Sequence, residues 1–178
     1  MSEFEFLSVL VSIIIGLGMT HILRGAASQV VETRAFDTRL LYSVFMAFIL
    51  VLNWWVILSW RDHENWVFSD FLVLVAWAVT HYIAAISLYP VQERAADADM
   101  PLSWFLWAFA AVALIDIFQT FIRGDLFEPW YYMPFVLHYA ILSVIGAMLD
   151  SERLHKVIGW WFLIASLLWA LIVRKFLL

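Results

Sequence analysis

Six apolar segments, each close to the length of a membrane-crossing helix, follow one another along this 178-residue chain. A helix needs roughly 20 predominantly apolar residues to cross a hydrocarbon core about 30 Å thick. The segments run from about Glu5 to Ala27, Thr38 to Trp60, Trp66 to Tyr89, Pro101 to Ile122, Pro129 to Leu149 and Lys156 to Val173. The chain is 65% hydrophobic and 14% charged, against about 45–50% and about 25% for a soluble domain, so much of its surface must face lipid. The expected fold is all-α: one integral membrane domain over residues 1–178, a polytopic bundle of six transmembrane helices joined by short loops. Its solvent is the lipid bilayer, and the expected compartment is a bacterial-type inner (plasma) membrane.

Local signals mark the segment ends. Ser2 and Glu5 are spaced as a capping box, which starts the first helix at once. Pro90 closes the third segment, Pro101 and Pro129 open the fourth and fifth, and Gly124 follows the fourth. Glu3 and Glu5 stand where a cleavable signal would carry basic residues, and the apolar run behind them is too long for one. An even number of spans places loops two and four on one face and loops one, three and five on the other. The odd-loop face carries Arg24, Arg34, Arg39, Arg94, Arg153 and Lys156; the even-loop face carries Arg61, Arg123, Arg174 and Lys175. The excess of basic residues assigns the odd-loop face to the cytoplasm.

Several function classes drop out. With no cysteine, the chain has no disulfide, Cys-ligated metal or cysteine nucleophile. A net charge of −5 is wrong for nucleic acid. The glycine-rich phosphate loop, His-Glu-x-x-His and the nucleophile elbow are missing, so nothing points to enzymatic turnover. Asp97 and Asp99 read as solvated loop charges.

The first segment carries two stripes at helical spacing. Glu5, Ser8, Ser12, Gly16 and Thr20 form one; Gly18, His21 and Gly25 form the other. Small residues let backbones approach closely in lipid, so this helix is expected to pack on both sides, inside the bundle. The third segment repeats the second stripe as Ala78, His81 and Ala85, and both segments contain Thr-His. The fifth echoes it faintly around His138. Descent from one repeated hairpin would explain the likeness. Gly16, Gly18, Gly25, Ala78 and Ala85 are therefore the expected packing positions. The chain is also tryptophan-rich: Trp54, Trp55, Trp60, Trp66, Trp104, Trp107, Trp130, Tyr131, Tyr132, Trp160 and Trp161 lie near span ends, as an interfacial aromatic belt.

Ionisable groups at membrane depth are costly and point to function. His21, His81, Asp116 and His138 are such groups, with Asn53, Gln119, Thr20 and Thr80 as neutral companions. At about 1.5 Å per residue, His81 lies about 14 Å, His138 about 18 Å, and Asn53 and Asp116 about 22 Å from the odd-loop face. Gln119, Thr120 and Arg123 share a face with Asp116 and extend a polar stripe to the even-loop interface. The leading expectation is conduction or transport of protons or a small cation, with Asp116 titrating, His81 and His138 as relay partners, and Asn53 and Gln119 along the path. Two other readings use the same residues. His21 and His81 can ligate a haem or a divalent metal. The bundle can instead be a non-catalytic helper subunit, in a homo-oligomer or a larger membrane complex.

Overall fold

A computed structural model describes residues 2–33, 36–61, 63, 66–89, 101–124, 126–127, 129–149 and 151–173. Arg34, Pro90, Arg94, Asp97, Asp99, Arg174 and Lys175 lie outside the described residues. The helices are α1 (Glu3–Thr33), α2 (Thr38–Ile57), α3 (Phe68–Ile86), α4 (Leu102–Arg123), α5 (Tyr132–Leu149) and α6 (Glu152–Leu168). A 3₁₀ turn, Leu58–Trp60, extends α2, and a π turn, Trp169–Val173, extends α6. All six are long and apolar enough to cross a membrane, so the chain is an integral membrane protein with an all-α bundle.

The ends follow local chemistry. The Ser2 and Glu5 side chains accept from each other's backbone N–H at 3.2 and 2.9 Å, closing the expected capping box. Asp37 caps α2 through Leu40 N–H at 2.9 Å. Gly124 ends α4 at φ +92°, a left-handed conformation that favours glycine. The sixth helix starts earlier than its apolar run implies. Ser151 precedes its first turn, so His155 is helical and buried, and its Nε2 donates to the Gly146 carbonyl at 2.9 Å. The charges before Lys156 face outward and cost the helix no burial.

Neighbouring helices form a ring in the order α1, α3, α4, α5, α6, α2. The large side chains of α2 reach across it. Phe45 packs on Phe109 at a ring separation of 5.0 Å, and Tyr42 on Phe105 at 5.1 Å. Phe162 and Tyr139 complete this aromatic core, which fills the half of the bundle nearer the odd-loop face.

The expected approach of α1 and α3 is present. A Cβ on Gly18 would lie 3.3 Å from the Ala85 Cβ. Gly25 lies flat against the Tyr89 ring, just beyond the end of α3. The Tyr89 hydroxyl donates to Gln29 at 2.9 Å and sits 2.8 Å from Ser43 Oγ, tying α1 and α2 to this turn. Burial raises the Tyr89 pKa, so the phenol remains a donor. The other stripe of α1, from Glu5 through Gly16 to Thr20, does not pack. A Cβ on Gly16 would meet nothing within 4 Å, and Phe6, Val9, Ile13 and Leu17 on that side are exposed. The helix therefore buries one face and turns the other to lipid, correcting the expectation of two packed faces. Ser8 and Thr20 satisfy their hydroxyls on their own helix, at Glu5 and Gly16 carbonyls, so a polar stripe needs no partner helix. Gly16→Ala should consequently raise stability by about 0.5–1 kcal/mol through helix propensity alone. Thermal unfolding in detergent micelles checks this; a loss of stability would mean that Gly16 meets a neighbour.

Candidate functional site

The polar residues of α4 are placed by α3, α5 and the end of α2. Trp77 lies on α3 one helical turn before His81, and the two rings meet edge-on at 4.9 Å. The Trp77 indole donates to Asp116 Oδ1 at 3.0 Å. Its backbone carbonyl accepts from His81 Nδ1 at 2.8 Å. One tryptophan thus joins the carboxylate to the histidine. That donor bond leaves Nε2 as the acceptor nitrogen of a neutral His81 ring.

Asp116 receives two further donors. Gln119 Nε2 reaches Oδ1 at 3.3 Å, and the Tyr132 hydroxyl reaches Oδ2 at 2.5 Å. Gln119 also donates to Thr120 Oγ1 at 2.8 Å, and Thr120 lies 2.9 Å from the Tyr132 hydroxyl. Because Tyr132 gives its proton to Asp116, Thr120 donates to Tyr132. Each hydroxyl in this chain points its hydrogen towards the carboxylate. Trp60 closes the far end by donating to Gln119 Oε1 at 3.1 Å. Gln119 and Thr120 are buried, while Asp116 is half-buried.

These groups border a cavity of about 120 Å³ between α2, α4, α5 and the end of α6. Asn53, His81, Asp116, Gln119, Arg123 and Tyr132 are among its polar wall, and Ile49, Leu52 and Val112 among its apolar wall. Arg123 lies about 10 Å along α4 from Asp116, at the even-loop end, where its guanidinium donates to Ser59. Towards the odd-loop face the cavity meets Phe109 and Tyr139, part of the aromatic core. Asn53 is 5% exposed, and its Nδ2 has no hydrogen-bond partner.

Of the residues singled out by sequence, Asn53, His81, Asp116 and Gln119 share this cavity. His138 does not. It sits at a lipid-facing groove between α5 and α6 with Phe135, Trp161 and Trp169, and its Nε2 is buried without a partner. Its depth along the helix suits a shared site, but helical phase turns the ring away from it. His21 is also elsewhere: its Nε2 donates to the Tyr89 carbonyl at 3.1 Å. His21 and His81 thus spend one nitrogen each on backbone carbonyls, and among the described residues no three His, Asp or Glu side chains gather around one point. Thr20 and Thr80 bond back to the carbonyls of Gly16 and Ala76 on the outer side of their helices. Each Thr-His pair therefore has an outward threonine and a histidine that reaches a backbone carbonyl on the inner side.

Trp60, Trp77 and Tyr132 join the candidate site through hydrogen bonds to Gln119 and Asp116, and sequence reasoning placed Trp60 and Tyr132 in the belt and passed over Trp77. Seven tryptophans, Trp54, Trp55, Trp104, Trp107, Trp130, Trp160 and Trp161, are exposed as a belt should be. Trp60 and Trp77 are 0% and 1% exposed and use their N–H inside the bundle. The available signal was that a mid-span indole needs an acceptor, and Trp77 shares the helical face of Ala78, His81 and Ala85. A further polar pair, half-buried, lies at the even-loop face: Asp70 opens α3 and accepts from His63 Nε2 at 3.1 Å.

No protein-family model matches the sequence, and no curated protein and no solved structure matches the chain.

Proposed function

We propose that this protein transports protons or a small cation across its membrane, with Asp116 as the group that titrates. The observation that carries this reading is the hydrogen-bonded chain from Gln119 through Thr120 and Tyr132 to Asp116, on the wall of a cavity within the span. Hydroxyls both donate and accept, so a proton taken up by one can leave from its other side. Their shared direction, towards the carboxylate, is the polarity needed to deliver a proton inward from the even-loop face. His81 is anchored by the same Trp77 that donates to the carboxylate, and it shares the cavity wall with Asp116. An intramembrane carboxylate has a functional prior in its own right.

The aromatic core closes the cavity towards the odd-loop face. Passage therefore requires repacking of Phe109, Tyr139 and their neighbours, which is the behaviour of a carrier rather than an open pore. A helical bundle suits a plasma membrane of bacterial type, since bacterial outer membranes hold β-barrels.

Tyr132→Phe tests the chain directly. It deletes the hydroxyl that joins Thr120 to Asp116 and keeps the ring. Proton flux into proteoliposomes, read with an internal pH dye, should fall by about tenfold, the rate equivalent of one hydrogen bond. Flux equal to wild type would remove Tyr132 from the path.

A further inference from the structure

Resting on the transport reading above, we infer that the carried species is the proton itself, passed through a small cluster of waters held between Asn53, His81 and Asp116, and not a dehydrated metal ion. Asn53 provides the first argument. Its Nδ2 is buried, has no partner and belongs to a residue that lines the cavity. A donor left dry costs about 1–3 kcal/mol. The cavity of about 120 Å³ is roomy enough for several waters and has polar groups to hold them. His81 provides the second. With Nδ1 committed to Trp77, its other nitrogen remains to accept from such a water.

Asp116 decides between proton and metal. Its two oxygens already receive Trp77, Gln119 and Tyr132, which leaves about one lone pair: enough for a water or a proton, too little for a metal ion to be gripped by both oxygens. Divalent cations are held by several fixed carboxylates and other oxygens, and among the described residues no three His, Asp or Glu side chains gather around one point. The titratable and charged side chains on the cavity wall are His81 from α3, Asp116 and Arg123 from α4, and Tyr132 and Tyr139 from α5. From α2 and α6 come the neutral Asn53 and Ser166. A proton needs no coordination shell. Asp116 takes it from one neighbour and returns it to another, and the hydroxyls that passed it on turn back before the next passage.

The test uses the full chain in liposomes with an internal pH dye and an imposed pH gradient. Sodium, potassium or N-methylglucamine is the only cation, and thiocyanate compensates charge. Proton flux should agree within about twofold among the three salts, since no metal ion takes part. Asn53→Leu removes the donor that anchors the waters and should slow flux by about tenfold, the rate equivalent of one hydrogen bond, with an unfolding midpoint no lower than wild type. Ala113→Leu, which fills the cavity without touching a polar group, should slow it similarly. Flux that follows sodium or potassium, or sodium uptake that Asp116→Asn abolishes, would overturn the proton assignment and leave transport standing. Wild-type flux in Asn53→Leu would overturn the water cluster. An absence of flux from wild-type protein in every salt would end the transport reading itself, and this inference with it.

Discussion

Asp116→Asn should cut proton flux into proteoliposomes by about 10²–10⁴-fold, the range expected when a positioned proton-transfer group is lost. The substitution keeps the shape of the side chain. Its remaining carbonyl can still accept from Trp77 and Gln119, the two donors now at Oδ1. The amide nitrogen then meets the Tyr132 hydroxyl, which can turn to donate to Thr120 at 2.9 Å. The structural cost is about one hydrogen bond, roughly 1 kcal/mol, so the variant should fold. Flux and the unfolding midpoint, measured on one preparation, separate the two effects. Wild-type flux from a folded Asp116→Asn protein would leave Asp116 as a packing group only.

Gly25→Ala should lower stability by about 3 kcal/mol, the upper part of the overpacking range. A Cβ there would lie 2.3 Å from Cδ2 and 2.4 Å from Cγ of Tyr89. Those atoms are at the root of the ring, so rotation alone cannot clear them, and the turn after α3 must move. That turn holds the His21 contact at the Tyr89 carbonyl and the Tyr89 hydroxyl's contacts with Gln29 and Ser43. One added methyl therefore disturbs the joint between α1, α2 and α3. Steric trapping or denaturant unfolding in bicelles measures the loss. A change below about 0.5 kcal/mol, the size of an ordinary surface substitution, would show that Tyr89 yields freely. Gly16→Ala on the outer face of the same helix is the internal control, with the opposite sign expected.

The number of spans, their approximate ends and the α1–α3 contact were legible because each rests on length, local capping or backbone approach. The inward direction of each helix was harder to read. In water, a polar face marks the outside. In lipid, core and surroundings are both apolar, so Phe135 and Leu142 beside His138 say nothing about which way the ring points. Asp116 escaped this ambiguity because its helix carries Gln119, Thr120 and Arg123 on the same face. The tryptophans were ambiguous for a different reason. Trp54, Trp55 and Trp60 end one helix together, and composition cannot say that two face headgroups while the third donates to Gln119. Asn53 was legible as an intramembrane polar residue, but its missing partner is a property of packing alone.

The first helix has 31 residues and so spans about 46 Å, well beyond a hydrocarbon core of about 30 Å. The apolar run within it, Phe6 to Leu23, is itself only about 27 Å long, so the hydrocarbon is already crossed where Arg24 begins the polar end. Gly25 and Gln29, on that end, are the residues that meet Tyr89. The surplus of the helix is thus spent outside the hydrocarbon, as a post to which the turn after α3 is moored.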